Sequence, residues 1–447
     1  MIAIPKSVEE ILHRLRTAGH QGYCVGGCVR DRLLGREPKD YDVTTSAKPE
    51  EVMALFAPHA IPTGLQHGTV TVVSEGERVE VTTFRWDGAY TDHRHPDAVT
   101  FTASLTEDLS RRDFTINAMA MDSDGQVTDP FGGTADLRRG ALRCVGDPAA
   151  RFQEDALRIM RALRFAAELS LTVEDGTAAA LRGQKELLKE IAVERILVEL
   201  NKLLCAPSAS EVLLAYPEVI GVVLPEILPA VGFDQHNRHH CYDVYEHSIR
   251  AMAAVPPEPV LRWTMLLHDL GKPETFSLDE AGVGHFYGHG RRSAELAHTI
   301  CRRLRMDRRS SETIEELVRL HDTEIPLTER GVRRMLRRVG EEQLRRLIAV
   351  KRGDNLAQHP DYRGRQETLS QLETLLNMVL SADACFSLKQ LAVKGGDLTA
   401  IGITGPDIGR TLVRLLDEVV EERLPNDWGA LLAYAEEIRD EERRDRR

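Results

Sequence analysis

The stretch from Gly22 to Thr45, GYCVGGCVRDRLLGREPKDYDVTT, constrains this chain more than any other. A short apolar strand (Tyr23, Cys24, Val25) runs into Gly26-Gly27. A helix over Cys28 to Leu34 follows, then a turn from Gly35 to Lys39, then a second strand opening with Asp40-Tyr41-Asp42. Gly26 and Gly27 leave backbone amides uncovered at a helix N-terminus, where phosphate oxygens can approach closely. Arg30, one turn on, offers a charge-assisted donor to the same phosphates. Asp40 and Asp42, two apart on a strand, place both carboxylates on one side. Carboxylates held that way bind Mg²⁺, and two such ions can clamp the attacking and leaving oxygens of a phosphoryl transfer. Taken singly, a GG is usually a turn and a DxD a solvated strand end. Their close succession points to nucleotidyl transfer.

A chain of 447 residues holds about three domains by the usual size of a domain. Its hydrophobic content of 42% and charged content of 29% are those of an ordinary soluble protein. No apolar run is long enough to cross a membrane, and MIAIPKSVEEILHRLRTAG is charged throughout, an amphipathic helix rather than a signal peptide. The cysteines are scattered and odd in number, which reads as reduced thiols in a cytoplasmic protein. A net charge of −12 excludes a chain basic all over, yet arginines gather in RRLRMDRR (302 to 309) and RGVRRMLRRVGEEQLRRL (330 to 347). Each cluster is either a solvated helix face or a contact for RNA.

After the DxD strand, Ser46 to Phe56 reads as a helix with Pro49 early, followed by β runs over Gly68–Ser74, Val79–Phe84 and Ala98–Phe101. Strands mixed with crossover helices imply an α+β head with a mixed sheet. Glu80, mid-strand, is either an exposed face or a third carboxylate beside Asp40 and Asp42. Arg85 to Pro96 is polar, with Gly and Pro, and reads as a loop. Arg112 and Asp113 open a helix in RRDFTINAMAMD; they are either an ordinary helix start or contacts to triphosphate and ribose. DPFGG carries a turn at Gly132-Gly133.

RFQEDALRIMRALRFAAELSL (151 to 171) reads as one strong helix with Leu157, Met160, Leu163 and Ala167 as its apolar stripe. Asp155, Arg158, Arg161 and Arg164 recur every third residue. Asp155 and Arg158 either pair with each other or read a base. In the second case a carboxylate accepts from an exocyclic amine while a guanidinium donates to the neighbouring acceptor. Cytosine and adenine share that edge; uracil and guanine do not.

GGCVRD with DYD, HGTVTV, VEVTTFR, RRDFTINA, DPFGG and EDALRIMRALRF stand in the order found in class II tRNA nucleotidyltransferases, the bacterial CCA-adding enzymes. The resemblance is dense over the first 200 or so residues and resumes at LAVKGGDLTAIGITGPDIGR (391 to 410). It implies a polymerase-β-like head over 1–140, a helical neck over 141–230, and an all-α body and tail. It also implies Asp40 and Asp42 as Mg²⁺ ligands, Gly27, Arg30 and Arg112 at the triphosphate and sugar, and Asp155, Arg158, Arg161 and Arg164 at the base. Its partners are a tRNA 3′ end, CTP and ATP, with neither DNA nor membrane; the oligomeric state stays open. AIPTGLQHGTVTV resembles the tRNA-directed branch rather than the poly(A) polymerases, and the loop DGAYTDHRHPDAV is full length where CC-adding enzymes look shortened. An A-adding enzyme working with a partner remains an alternative.

Past VLPEILP comes a histidine-dense stretch and then an ordered set: His247, His268-Asp269, His289, His321 and Asp354. A lone helical histidine is usually structural, but imidazoles and carboxylates together suit Mn²⁺, Fe, Ni²⁺ or Zn²⁺. HDLGK after an apolar helix resembles the HD phosphohydrolases over about 240 to 356. That implies an HD domain over 231–356 hydrolysing phosphoesters with bound metal, and a helical, tRNA-binding tail over 357–447. Cyclic 2′,3′- or 3′-phosphate at damaged tRNA ends is a substrate of that chemistry. His285 stands outside the set. A rival of another class is an HD hydrolase with an RNA-binding head.

Overall fold

The computed structural model describes residues 4–88, 99–382 and 384–445. Two compact units, Met1–Leu228 and Pro229–Arg447, divide the chain.

In the first unit, α1 (Lys6–Thr17) turns Val8, Ile11, Leu12 and Leu15 inward. Along the chain come β1 (Gly22–Val25), α2 (Gly27–Leu33), β2 (Asp42–Thr45), α3 (Pro49–Leu55), β3 (Ala60–Gly64), β4 (Thr69–Ser74) and β5 (Glu77–Thr83). Then follow β6 (Arg85–Asp87), β7 (Val99–Phe101), α4 (Leu105–Ser110), β8 (Ala120–Met121), β9 (Val127–Thr128) and α5 (Gly133–Arg139). The main sheet runs β3-β4-β5-β2-β1-β8-β9. Only β2 and β5 pair in parallel within it; the other pairs are antiparallel. The sheet is therefore mixed, and the α+β head with helices after it matches the class implied by the sequence. Val43, Val70, Val72, Val81 and Met121 make the core between the sheet and α1, as alternating strands with one buried face do.

Several local expectations are corrected. Strand β2 opens at Asp42, so Asp40 belongs to the irregular connection ahead of the strand and not to the strand. No helix starts at Arg112: it follows the end of α4 and leads into a 3-10 turn over Thr115–Asn117. Arg85–Asp87 is a strand, paired with Val99–Phe101. Residues 89–98, most of the loop whose length bears on CC addition, lie outside the described residues.

The helix expected over 151 to 171 is two helices. After β10 (Ala141–Leu142) come α6 (Pro148–Glu154) and α7 (Leu157–Leu169), and Asp155 between them is extended, with φ −138° and ψ 101°. Aspartate competes with helical hydrogen bonding through its own side chain. Here Oδ1 accepts the Leu157 amide at 3.1 Å and so starts the second helix. The stripe of Leu157, Met160, Leu163 and Ala167 is buried as expected. β11 (Thr172–Val173), α8 (Asp175–Gly183), α9 (Val193–Leu204), α10 (Ala209–Ala215) and α11 (Pro217–Val223) complete the unit.

The second unit is helical apart from one small hairpin. Its elements are α12 (Val244–Ala253), α13 (Pro259–Leu267), α14 (Lys272–Thr275), β12 (Ser277–Leu278), β13 (Gly284–His285), α15 (His289–Arg303) and α16 (Arg308–Leu320). Next are α17 (Glu329–Ala357), α18 (Arg365–Ser381), α19 (Gly395–Ala400), α20 (Pro406–Val420) and α21 (Trp428–Asp445). The long α17 breaks at Gly340, where φ is +78°. The arginine clusters are largely engaged within the unit. Arg333 faces Glu329 and Glu422, Arg334 faces Glu421 and Arg337 faces Asp417, which ties α17 to α20. Arg308, Arg309, Arg345 and Arg346 also face carboxylates. Among the described residues no helix is long and apolar enough to cross a membrane.

Candidate active sites

The parallel pairing of β2 with β5 sets Asp42 directly opposite Glu80. The Asp42 carboxyl is pushed up to about 6, by burial first and then by the charges of Glu80 and Asp40, with Arg112 pulling the other way. A buried carboxyl raised by two neighbouring acids marks a charge excess for which the local fold supplies one arginine. That excess fits a divalent cation. Glu80 thus sits beside Asp42 although its own side chain is exposed.

Arg112 is held from behind. Asp108, fully buried, accepts Arg111 Nε at 3.0 Å and Thr44 Oγ1 at 3.1 Å, and lies 3.6 Å from Arg112 Nη2. Arg112 Nε is buried without a hydrogen-bond partner. Such an orphan costs free energy unless a ligand completes it. Gly26 has φ +79°, and a Cβ there would stand 3.2 Å from Arg112 Nη1, so glycine is what admits the guanidinium at that turn. The Gly26 N–H itself donates to the Met119 carbonyl at 3.3 Å. The expected pair of uncovered amides is therefore corrected at Gly26, whose N–H is taken; Gly27 is the first residue of α2. Arg30 is oriented by Asp31 Oδ1 and Asn117 Oδ1, both at 2.8 Å, and lies over the Phe165 ring.

Around the break between α6 and α7, Asp155 and Arg158 do not pair with each other. Arg158 donates to Glu154 at 2.6 Å and to the Arg151 and Arg111 carbonyls, whereas Asp155 Oδ2 accepts Arg195 at 3.1 Å. Neither neutralises the other: Arg158 is 8% exposed and held by Glu154 and two carbonyls, and Asp155 is held by Arg195 and the Leu157 amide. Arg161 grips Asp113 through Nε at 2.9 Å and Nη2 at 2.6 Å. Burial alone would raise the Asp113 carboxyl, but Arg161 brings it down to about 2. Arg164 is 7% exposed, its guanidinium is bound to Glu199 and Glu168, and it covers Phe165 at 3.9 Å. Sequence reasoning missed Asp108, Asn117, Glu154, Phe165, Arg195 and Glu199. Arg195 and Glu199 stand four apart on α9, a spacing visible in the sequence, though their partners were not.

In the second unit, His247 (α12), His268 and Asp269 (after α13), His289 (first in α15), His321 (after α16) and Asp354 (α17) converge. His247 Nε2 lies 2.9 Å from Asp354 Oδ1, His268 Nε2 3.2 Å from Asp269 Oδ2, and His289 Nε2 3.1 Å from His321 Nε2. Nδ1 of His268, His289 and His321 each meets the carbonyl three residues back, of Met265, Phe286 and Val318. A carbonyl only accepts, so each Nδ1–H donates there and each Nε2 is the ring nitrogen turned inward. This is how metal-ligating histidines are oriented. His268 Nε2 is buried without a hydrogen-bond partner. Burial opposes charge on His268, yet Asp269 and Asp354 carry it up to about 10; burial and the neighbouring His268 send His321 down to about 3. Neighbouring imidazoles pushed in opposite directions around buried Asp269 and partly exposed Asp354 fit a shared cation. Lys272 Nζ, unanticipated, lies 2.7 Å from Asp269 Oδ2 and donates to Gln235 at 2.8 Å. His285 stays outside the cluster, against Asp279. A cavity of about 740 Å³ opens beside His321, Asp322 and Asp354, with Lys351 and Arg365 in its wall.

Comparison with known proteins covers both units. Residues 22–143 match the family model described as the Poly A polymerase head domain, and 170–229 the model for a probable RNA and SrmB-binding site of polymerase A. Residues 290–435 match a putative tRNA nucleotidyltransferase domain 2. The chain is 36% identical to a CCA-adding enzyme of Levilactobacillus brevis over 430 residues, 95% of each chain. It is 34% identical to one of Lactiplantibacillus plantarum over 97% of each. Among solved structures it is similar to the Bacillus stearothermophilus CCA-adding enzyme in complex with CTP, with a TM-score of 0.72 at 31% identity over 98% of each chain. The Thermotoga maritima CCA-adding enzyme complexed with tRNA shares the fold, with a TM-score of 0.60 at 20% identity.

Proposed function

The chain belongs to the family of CCA-adding enzymes, and from that premise we propose that it adds C, C and A to the tRNA 3′ end from CTP and ATP, releasing pyrophosphate. The observation that carries this reading is the Asp42–Glu80 register, with Asp42 pushed up to about 6 and Arg112 facing it. Asp42 and Asp40, with Glu80 beside them, would hold Mg²⁺, which when bound neutralises triphosphate charge and acidifies the attacking 3′-hydroxyl. Arg112 Nε, the Gly27 amide and Arg30 bind and orient the triphosphate. Asp108 keeps Arg112 in place as pyrophosphate charge develops. Asp155 accepts from the exocyclic amine of C or A, and Arg158 donates to the adjoining acceptor; Arg161, positioned by Asp113, closes the same side. The test uses tRNA lacking its last three nucleotides and tRNA ending in CC, with labelled CTP and ATP. Growth of the first by CCA and no further supports the proposal. Growth of only the second, by one A, makes the protein the A-adding half of a pair, and no growth on either refutes transfer.

The second reading concerns the Pro229–Arg447 unit. The inward-turned Nε2 atoms of His268, His289 and His321, with Asp269 and Asp354 among them, support an HD phosphohydrolase active on phosphoesters at RNA ends. His247, His268, Asp269, His289, His321 and Asp354 would hold one or two of Mn²⁺, Fe, Ni²⁺ or Zn²⁺, which when bound supply Lewis acidity and an acidified water. Lys272 holds Asp269 in place. Metal content by mass spectrometry, compared between the parent and His268→Ala, tests the site without relying on turnover. Equal retention of metal refutes it.

A further inference from the structure

The small hairpin beside the histidine cluster carries an aromatic pair that neither reading uses. Tyr287 is 78% exposed, its ring open to solvent at the rim of the cleft. Its ring lies parallel to that of His285, with an interplanar angle of 5° and centroids 5.4 Å apart. The pair is rigid. Asp279 accepts the Val283 and Ala281 amides through Oδ1, at 2.8 and 3.0 Å, and holds His285 Nε2 through Oδ2 at 2.9 Å. The hairpin is pinned in turn at Gly284, whose amide donates to His236 and where a Cβ would fall 2.2 Å from the Gln235 carbonyl. Phe286, between the two in sequence, turns the other way, toward Phe276 and Lys272. Tyr287 and His285 stand in the wall of a cleft of about 340 Å³ whose wall also includes Asp269, His289, His321 and Asp354.

A flat, oriented, exposed aromatic face at the mouth of a cleft lined by candidate metal ligands has the chemistry of a base-stacking platform, because every nucleobase offers a π-face. We infer that the Tyr287–His285 pair is a nucleobase platform for the second site, selecting phosphoesters of nucleosides over base-free ones. The inference rests on the phosphohydrolase reading. With the phosphate among the histidines, a base at the mouth of the same cleft would lie against the open face of Tyr287. A phosphoester lacking a base leaves that face in water.

The test compares hydrolysis of adenosine 3′-phosphate and of glycerol 2-phosphate by the full chain supplied with Mn²⁺, Fe²⁺, Ni²⁺ or Zn²⁺. The parent is expected to prefer the nucleotide. In Tyr287→Ala the ratio of the two kcat/KM values falls about 5- to 150-fold, the range of one lost stacking contact, through KM for the nucleotide. Tyr287→Phe keeps the ratio, since the ring rather than the hydroxyl does the stacking. A ratio unmoved in Tyr287→Ala, or a parent with no preference, overturns the platform while the phosphohydrolase reading stands. Hydrolysis of neither compound with any of the metals overturns both.

Discussion

Replacing Asp113 by Asn probes the tie between the Arg112–Asn117 turn and α7 at its tightest point. Asp113 is 8% exposed and accepts Arg161 through Nε and Nη2 at 2.9 and 2.6 Å. Burial works to raise its carboxyl, but Arg161, then Arg158 and Asn117, bring it from an ordinary 3.8 down to about 2. At 1.36 kcal/mol per unit, the native fold favours the ionised form by about 2 kcal/mol. The folded pKa lies below the unfolded one. That stability is therefore fully present above 3.8 and is lost as pH falls through about 2. Asp113→Asn is expected to be less stable than the parent by about 2 kcal/mol at neutral pH, with the gap closing between about pH 4 and pH 2. Urea unfolding at a series of pH values, followed by hydrogen exchange of α7 peptides, reads the Met1–Leu228 unit alone. A gap that is flat with pH, or that widens in acid, would refute the reasoning.

Three further outcomes follow from the same geometry. Asp42 must be ionised to hold a cation, so nucleotide incorporation should decline as pH falls through about 6. Raising Mg²⁺ should move that decline to lower pH by competing with the proton, and a limb indifferent to Mg²⁺ would count against Asp42 as a ligand. Arg195→Ala removes the 3.1 Å partner of Asp155; KM for CTP and ATP should rise about tenfold, the effect of one charge-assisted hydrogen bond. Misincorporation of U and G should rise with it, as competition assays would show. In Gly133→Ala the new Cβ would fall 2.1 Å from the Thr115 carbonyl oxygen, and since backbone cannot easily yield, unfolding of the first unit should be easier by about 3 kcal/mol.

Much of both sites is legible in the chain because the signals are local. Gly26-Gly27 between an apolar strand and a helix, and Asp42 at a strand start, follow from glycine's freedom and the period of a strand. The helix break at Asp155 was not legible: the sequence from 151 to 171 lacks Gly and Pro, and only the side chain's capture of the Leu157 amide interrupts it. Arg164 shares the three-residue spacing of Arg158 and Arg161, yet Glu199, thirty-five positions away, turns it into the core. Asp40 two residues before Asp42 looked like a strand neighbour, but the ladder of β2 with β1 and β5 begins only at Asp42.

The sequence alone determined which chemistry the chain carries: acids after a glycine turn, an Asp/Arg helix, and an ordered set of histidines and aspartates. Each is a matter of residue type and short spacing, which survive without a fold. Tertiary structure decided which of those groups act together. Glu80 stands beside Asp42 only because β2 and β5 pair in parallel. Likewise, the inward-turned Nε2 atoms meet only because α12, α13, α15, α16 and α17 bring their histidines and Asp354 to one point. Charge interactions fall with distance and grow with burial, and neither quantity exists until the chain has folded.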